Sequence, residues 1–524
     1  MNHISSALLL ASISITTSQT LRSNNTWHLS SEIEWKNNIA DIQGAEITNG
    51  QIVPAGESAT LSSQYFDAKN KLQARSLTVA QSTSWDNWNK TPNIGPKNLG
   101  DAPVLLSQGP GNYWIFGRFN PANGANPKRL KQLRKSDPEA AAKLEAEANK
   151  PFNGQEANLE GFDIPLRTTQ IPNTYNAPGG LKPGLGGYHA WQSRDMVNWV
   201  HHGPITDREG RWVTTAEYAD GKTYIYYDNP NDQDPHLYID SDLTDGEPGE
   251  NLGMVWADPS HGSDCVVIRD LEGEFHLIYE DWSPINASAH AWDSPLAGRA
   301  VSPDGGLTPF TIREPAVDHR TQPTGEFGEF RHPHWGSSSI WKGGSHASYE
   351  KHEPAQNAYG DWAAISIGGQ YYLFGDFHPA GEPTKNMSVA ILTADSVNGP
   401  FELVHSVGKG HPDPDIIFAE NQFYLATQQQ DDFVSPGPWV ESVEARVGVD
   451  TNGDKNINRW TDWAPVKETY EAIPGFSKQI KRNPAQLNLS DLPEGYGFKF
   501  EIRIQDNTSN NSKPIIDSIT VNFE

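Results

Sequence analysis

Short apolar runs alternate with tight turns along most of the chain, and five of them repeat one two-strand pattern. In each copy a polar or acidic residue opens an apolar strand, a turn with glycine or asparagine follows, and an aromatic strand completes the pair. Two apolar runs separated by such a turn predict an antiparallel hairpin. The first runs begin at Asp101, Trp212, Asp264, Asp361 and Asp415, and the turns lie at Gly111, Gly221, Gly273, Gly369 and Asn421.

Self-similar units at a roughly regular spacing predict a β-propeller with one blade per copy. Several copies continue into a third strand, the clearest of which lies in residues 189–199. The predicted fold class is therefore all-β, with a five-bladed β-propeller over residues 101–442. Residues 120–186 form an insertion that contains a charged helix. A β-sandwich is the alternative, but a sandwich does not repeat one pattern in register.

The segments that flank the predicted propeller also contain strand-like runs, at residues 76–82, 497–504 and 516–523. We expect residues 21–100 and 443–524 to pair into one accessory β-sandwich beside the propeller. Residues 1–20 combine a short apolar run with small and polar residues. This pattern is typical of a bacterial signal peptide and predicts a secreted or periplasmic protein.

Charge and composition narrow the classes of partner. The chain has 66 acidic and 40 basic residues, a formal net charge of -26, which opposes binding to nucleic acid or to an anionic membrane surface. No run is long and apolar enough to span a membrane. A single cysteine, Cys265, excludes an intrachain disulfide. The chain has 17 tryptophans, and most aromatic side chains pack in β-rich cores while a few can stack on a sugar.

In a propeller the innermost strand of each blade points its first residues into the axial funnel, so the strand openings are expected to converge. Converging carboxyl groups suit glycosidic cleavage, because one acts as base or nucleophile and another as acid. Turns favour acidic residues without any catalytic reason, but acids at four of five openings favour function. The openings supply Asp101, Thr215, Glu217, Asp264, Asp361, Asp413 and Asp415.

Four phrases, at residues 101–116, 189–199, 264–270 and 412–418, resemble those of the five-bladed glycoside hydrolases of families 43, 32 and 117. The resemblance covers the predicted propeller and implies a hydrolase of O-glycosyl bonds. It implies that Asp101 is the base or nucleophile and that Asp264 supports it. The candidates for the acid are Asp361, Glu353 and His352. His352 is included because family 117 looks like the group in which a histidine can take the acid role.

The residues expected to bind the polysaccharide or oligosaccharide line the same funnel and the long loop before the fourth copy. They are His189, Trp191, Glu217, His334, Trp335, His346, His378, His411, Asp413 and Asp415.

Two other functions stay open. A polysaccharide lyase acting on uronate-containing chains would use histidine or tyrosine as base and acid and arginine to neutralise the carboxylate. His332 and its neighbouring histidines, with Arg313, Arg320 and Arg331, could supply that chemistry. A non-catalytic propeller that only binds sugar is the third possibility. Convergence of the acids favours hydrolysis, and convergence of histidine, tyrosine and arginine favours elimination.

A loop after the predicted propeller places oxygen ligands at alternate positions, as loops that bind hard cations do. It resembles the loops of dockerins and EF-hands and predicts a structural Ca²⁺. Its candidate ligands are Asp450, Asn452, Asp454, Asn456 and Asp462.

Overall fold

The computed structural model describes residues 25–56, 58–82, 96, 99–119, 133–148, 187–207, 211–228, 235–256, 264–281, 293–318, 320–321, 356–383, 386–408, 413–427, 434–436, 443–466, 468–505 and 515–524. Strands dominate these residues, and the predicted all-β class is confirmed. Helix α1 (Glu32–Asn38) begins with a capping box between Ser31 and Glu34. Helix α2 (Pro138–Ala148) lies inside the insertion predicted to hold a charged helix. Neither helix has the length and apolar character to cross a membrane.

Seven strands precede the repeated hairpins. They are β1 (Thr26–Leu29), β2 (Ile39–Gln43), β3 (Ala45–Thr48), β4 (Gln51–Pro54), β5 (Ser58–Ser63), β6 (Phe66–Leu72) and β7 (Ala74–Ser82).

The middle of the chain forms five successive antiparallel sheets, called sheets one to five in chain order. Sheet one contains β8 (Leu99–Ser107), β9 (Tyr113–Phe119), β10 (Tyr188–Ser193) and β11 (Val200–Pro204). Sheet two contains β12 (Trp212–Ala219), β13 (Lys222–Asp228), β14 (Pro235–Asp240) and β15 (Glu250–Met254). Sheet three contains β16 (Val266–Arg269), β17 (Phe275–Glu280), β18 (Ala297–Ser302) and β19 (Thr311–Val317). Sheet four contains β20 (Ala358–Ile367), β21 (Gln370–His378), β22 (Ser388–Ala394) and β23 (Glu402–Val407), and sheet five contains β24 (Asp415–Ala419), β25 (Gln422–Ala426) and β26 (Val434–Pro436).

Each of the five predicted hairpins is present as the first two strands of a sheet. Asp220 and Gly221 both have positive φ, at 53° and 77°, in the turn between β12 and β13. Gly368 and Gly369 do the same between β20 and β21, at 64° and 88°. Two consecutive residues with positive φ are typical of a type I′ turn, whose twist matches that of the flanking strands. Local turn chemistry therefore sets the register of these hairpins.

The first strands of the five sheets contact one another in a closed series. Strand β8 contacts β12, β12 contacts β16, β16 contacts β20, β20 contacts β24, and β24 contacts β8. A separate hydrophobic cluster fills each gap between neighbouring sheets. The cluster between sheets five and one joins Leu105 and Trp191 to Ile417 and Tyr424. Closing the series in this way protects the inner strand edges from pairing with other chains.

Eight further strands follow. They are β27 (Val443–Asp450), β28 (Arg459–Trp460), β29 (Ala464–Pro465), β30 (Thr469–Ala472), β31 (Gln479–Asn483), β32 (Ala485–Asn488), β33 (Gly495–Gln505) and β34 (Ile515–Phe523). Strand β34 pairs with β1, β4 and β7, while β33 pairs with β5, β6 and β27. The two terminal regions therefore share two sheets, which pack on one hydrophobic core containing Trp27, Phe500 and Ile519.

A short C-terminal segment also joins sheet four. Strand β31 pairs in parallel with β20, with Gln479 opposite Ser366, and β30 pairs with β31. The N–H of Ser366 donates to the carbonyl oxygen of Lys478 at 2.8 Å. The C-terminal segment that contains Lys478 and β31 thus lies directly beside β20, the inner strand of sheet four.

The side chain of Lys478 extends this attachment to β12 and β16, the inner strands of sheets two and three. Its side chain is buried, and Nζ donates to Thr215 Oγ1 at 3.2 Å and to the carbonyl oxygens of Ala216 and Val267, each at 2.6 Å. The carboxylate of Glu217 lies 3.8 Å from the same nitrogen. Since a buried ammonium is costly unless it is hydrogen-bonded and paired, these contacts fix the segment to sheets two and three.

We expect Lys478→Met to lower the free energy of unfolding by about 3–5 kcal/mol, because it leaves the Glu217 carboxylate buried without its cation. Lys481→Met is the matched control on β31, since its side chain is exposed and 3.9 Å from an exposed Glu471. Such an exposed pair contributes about 1 kcal/mol or less. Urea unfolding followed by tryptophan fluorescence measures both variants, and equal losses would contradict the anchoring role of Lys478.

Candidate functional site

Three aspartates lie at the openings of consecutive inner strands with the same unusual backbone. Asp264, Asp361 and Asp413 have φ of 47°, 50° and 36°, and each lies two residues before its strand begins continuous pairing. In sheet one the corresponding position is Ala102, with φ of 38°. A non-glycine residue in this region costs about 1–3 kcal/mol, and such strain concentrates at functional sites. A repeated strained position that carries an acid in three sheets marks this end of the ring as the candidate site.

A second set of buried acids holds these aspartates in place. Asp228 ends β13 and Asp376 lies near the end of β21, and both side chains are fully buried. The N–H of Asp264 donates to Asp228 Oδ2 at 3.2 Å, and the N–H of Asp413 donates to Asp376 Oδ1 at 2.8 Å. The second strand of one sheet therefore fixes the backbone of the strained aspartate in the next sheet.

The carboxyl groups of Asp361, Asp376 and Asp413 form one cluster, with oxygen atoms that lie within 4.8 Å of one another. Burial raises the pKa of Asp361 well above its ordinary value, and the negative charges of Asp413 and Asp264 raise it further. Like charges this close cannot all ionise easily. Asp361 therefore favours its protonated form under conditions in which an ordinary aspartate is ionised.

A buried acid–histidine pair lies beside this cluster. His378 Nε2 is hydrogen-bonded to Asp293 Oδ2, and both side chains are buried. A Cβ atom on Gly360 would overlap Glu280 Oε1 and lie 2.6 Å from Asp293 Oδ1. Gly360 is thus required at this point of β20 because two carboxyl groups approach its backbone. His378 was expected to bind substrate, but its burial makes it a support for Asp293.

Glu217 and Asp415 were expected to bind substrate, but both side chains are buried. Glu217 is fully buried beside Lys478, and its Oε1 accepts the N–H of Ser477 at 3.2 Å. Asp415 Oδ2 accepts the N–H of Leu105 at 2.6 Å, which joins sheet five to sheet one. Burial raises the pKa of Asp415 to about 6, although the nearby Lys478 acts against this shift. Both side chains connect strands and have no surface for a sugar.

His189 and Trp191 are also placed in the interior. Trp191 is fully buried and stacks on His201 with ring centroids 4.6 Å apart. His189 Nδ1 lies 2.9 Å from His201 Nε2. Burial lowers the pKa of His201 well below its usual value, and the neighbouring imidazoles lower it further. Because β10 is the third strand of its sheet, counted from β8, its side chains pack between sheets instead of lying at the inner strands.

Other expected site residues lie outside the description. The backbone of Asp101 lies in β8, and its side chain is not described. Of the three arginines named for the lyase, Arg320 is paired with Asp318 at 2.8 Å and Arg313 is exposed on β19, and neither position favours that arrangement. The predictions that fall outside the described residues concern the expected signal peptide, residues 1–20, and Arg331, His332, His334, Trp335, His346, His352, Glu353 and His411.

Two groups of carboxylate and imidazole atoms in the described residues have spacing that could suit a metal ion. The first is the Asp361, Asp376 and Asp413 cluster, whose oxygen atoms fit a hard divalent cation. The second is Asp270, Glu274 and His276, where Arg299 Nη1 lies 3.3 Å from His276 Nδ1. A guanidinium at that distance repels a second cation, and the raised pKa of Asp361 opposes the ionisation that a cation would require in the first group.

The loop that predicts Ca²⁺ is organised by its own hydrogen bonds. Asp450 Oδ1 accepts the N–H groups of Asn452 and Gly453, and Oδ2 accepts those of Lys455 and the Tyr65 hydroxyl. Burial opposes ionisation, but these donors lower the pKa of Asp450 overall. Asn452 Nδ2 donates to Asp454 Oδ2 at 3.2 Å, Asp454 Oδ1 accepts the N–H of Asn456, and Asp462 is exposed. Calcium binding at this loop stays a prediction.

Sequence reasoning missed the second set of acids, although part of their signal was present. Asp228, Glu280 and Asp376 each follow an aromatic run at the end of a second strand. Comparing the ends of the second strands, as well as the openings of the first, would have found them. Asp293 has no such signal, because it lies in a segment that does not repeat.

No protein-family model matches the sequence, and no curated protein matches it. Solved structures are similar over much of their length. A thermostable family-43 glycoside hydrolase has 12% identity and a TM-score of 0.36, covering 76% of this chain and 95% of that one. An endo-1,4-β-xylanase from Bacteroides thetaiotaomicron has 11% identity and 0.36, covering 74% and 99%. An exo-β-1,3-galactanase from Phanerochaete chrysosporium has 9% identity and 0.34, covering 84% and 100%.

At such low identities and TM-scores these likenesses carry no argument about what this protein does. The function has to be inferred from the carboxyl groups at the strand openings and from their protonation.

We expect Asp361→Asn to stabilise the protein near neutral pH. A carboxyl group whose pKa is higher in the folded state binds more protons there between the two pKa values. Stability therefore falls as pH rises from about 4 through the raised pKa of Asp361, and the asparagine removes that loss.

The measurement is the melting temperature across a series of pH values for both proteins. The difference between them should be small at acidic pH and grow toward neutral pH. Asp395→Asn, at an exposed aspartate just after β22, is the control and should leave the profile unchanged. A parallel offset at every pH would contradict a titrating Asp361.

Proposed function

We propose that this protein is a glycoside hydrolase that cleaves glycosidic bonds of a polysaccharide or its oligosaccharides. The observation that carries this proposal is a cluster of three carboxyl groups at one end of a ring of strands, in which burial and neighbouring charges raise the pKa of Asp361. Cleavage of an acetal requires an acid, because the departing oxygen must receive a proton. It also requires a carboxylate on the other side of the sugar.

The proposed framework is a five-bladed β-propeller, in which sheets one to five are the blades, with an accessory β-sandwich formed by the terminal segments. The closed series of contacts between β8, β12, β16, β20 and β24 supports the propeller. The core shared by the two larger sheets supports the sandwich. In this framework the strand openings face a common axial funnel, which is where a sugar ring would bind.

Within this site we propose that Asp361 donates the proton to the leaving oxygen. Asp413 and Asp376 each have an oxygen atom within 4.8 Å of it. Burial raises the pKa of Asp361, and the negative charges of these two carboxyl groups raise it further. Their role is to keep the proton on Asp361. The base or nucleophile then comes from another sheet, and we assign it to Asp101 in β8, with Asp264 as the supporting acid.

We also propose that the protein acts outside the cytoplasm. The apolar run in residues 1–20 supports export, and the net charge of -26 suits a soluble protein that does not bind nucleic acid. The proposed reaction implies that the protein's partner is a carbohydrate.

The first experiment incubates the full chain with a panel of neutral and sulfated algal polysaccharides and their oligosaccharides. Reducing ends and the ultraviolet absorbance of unsaturated uronate are followed together. New reducing ends without new absorbance are the expected result. New reducing ends with absorbance would overturn hydrolysis in favour of elimination, and retention of sugar without cleavage would leave only a binding propeller.

Asp361→Asn should lower kcat on a natural glycan by about 10²–10⁴-fold, because the leaving oxygen loses its proton donor. An aryl glycoside of the same sugar, with dinitrophenolate as leaving group, needs no protonation and should lose much less. Asp101→Asn should lose activity on both substrates. Asp395→Asn is the control, and equal losses of Asp361→Asn on the two substrates would contradict its role as the acid.

A further inference from the structure

A second concave site lies between sheets one and two, at the opposite end of the inner strands. A cavity of about 460 Å³ is bounded by the β8–β9 turn, the end of β10, the β12–β13 turn and the residues after β14. Its volume lies within the range of small-molecule pockets. Because the β8–β9 turn begins seven residues after Asp101, the cavity is roughly 20 Å along the strand from the carboxyl end of the ring.

Three amide side chains form a continuous hydrogen-bonded row on its wall. Gln192 Nε2 donates to Asn112 Oδ1 at 2.8 Å, and Asn112 Nδ2 donates to Gln108 Oε1 at 3.1 Å. Gln108 Nε2 then donates to Thr223 Oγ1 at 3.0 Å, which joins the row to sheet two. Each amide group offers two donor positions and two acceptor positions, and the bonds within this row use only part of them.

Two rigid groups fix the direction of the row. Trp114 Nε1, which can only donate, bonds to Asn112 Oδ1 at 3.0 Å. His202 Nε2 lies 3.0 Å from Gln192 Oε1, and the His202 ring lies against Trp114 with centroids 5.2 Å apart. Both side chains are buried. The amide oxygens and nitrogens are therefore held in one order before any ligand binds, which reduces the entropy lost on binding.

The rest of the lining is polar but carries no excess charge. Arg194 and Asp242 contribute one charge of each sign, and Tyr218 contributes a half-buried aromatic side chain. An anionic ligand would meet Asp242, and a cationic one would meet Arg194. A neutral ligand with several adjacent hydroxyl groups suits this lining best, because a hydroxyl both donates and accepts, as amides require, and its C–H groups can pack on an aromatic ring.

We propose that this cavity is a non-catalytic binding site for a neutral saccharide unit of one or two sugars. The site does not depend on the proposed hydrolase activity, since none of its residues belongs to the carboxyl cluster. On a polymeric ligand it would hold one part of the chain on the face of the protein away from the strand openings.

The test measures saturation-transfer NMR with lactose, cellobiose and xylobiose, using the full chain with Asp361→Asn so that any turnover is slowed. Ser241 is exposed at the edge of the cavity, and Ser241→Trp should block it. Arg194→Ala removes donors without adding bulk. We expect at least one disaccharide to bind and both variants to weaken it by about tenfold or more.

Ser490→Trp is the matched control, because Ser490 is an exposed serine in the turn after β32. It should leave the disaccharide affinity unchanged, and thermal melts should show that all variants are folded. If Ser241→Trp does not fold, Arg194→Ala alone decides. Absence of saturation transfer to all three disaccharides, or equal affinity in the cavity variants and the control, would overturn the proposal. Loss of hydrolysis in the earlier assays would leave this result untouched.

Discussion

Electrostatic repulsion between buried carboxyl groups is the constraint on which the rest of this structure depends. Asp361, Asp376 and Asp413 bring their oxygen atoms within 4.8 Å of one another, and such groups would separate in a flexible chain. They remain together because β20 holds Asp361, β21 holds Asp376, and Asp413 lies just before β24. Burial and this repulsion raise the pKa of Asp361, and backbone N–H donors such as that of Asp413, which bonds to Asp376, act against the repulsion. The site is therefore a destabilising feature that the surrounding sheets hold in place.

The polar residues of the inner strands have two different structural roles. Those at the strained position, such as Asp264, bring acidic side chains to the strand openings. Those further along fasten one sheet to the next, because Asp415 accepts the N–H of Leu105 and Thr215 that of Val267. Lys478 completes the second group from a distant part of the sequence. These bonds, between sheets five and one and between sheets two and three, resist the outward displacement that the clustered carboxyl groups favour.

The sequence was sufficient for features that depend on local residues. Hairpins followed from turns such as Asp220–Gly221, and the strained acids followed from the repeat, which made Asp264 and Asp361 equivalent. Burial was not accessible in this way: Trp191 and Glu217 were expected to face a sugar because their strands belong to the repeat, but neighbouring sheets cover them. Nor could the sequence place Lys478, since its partners lie more than 200 residues earlier.

The two ends of the same hairpins present two unlike surfaces. At the strand openings a non-glycine residue has positive φ and acidic side chains meet, so this end stores strain and charge. At the β8–β9 turn the amide groups of Gln108 and Asn112 are hydrogen-bonded to one another and lie in a lining without excess charge. Reaction requires the first kind of surface, because proton transfer depends on a shifted pKa. Recognition without reaction requires only the second, since an ordered row of donors and acceptors binds hydroxyl groups without perturbing their acidity.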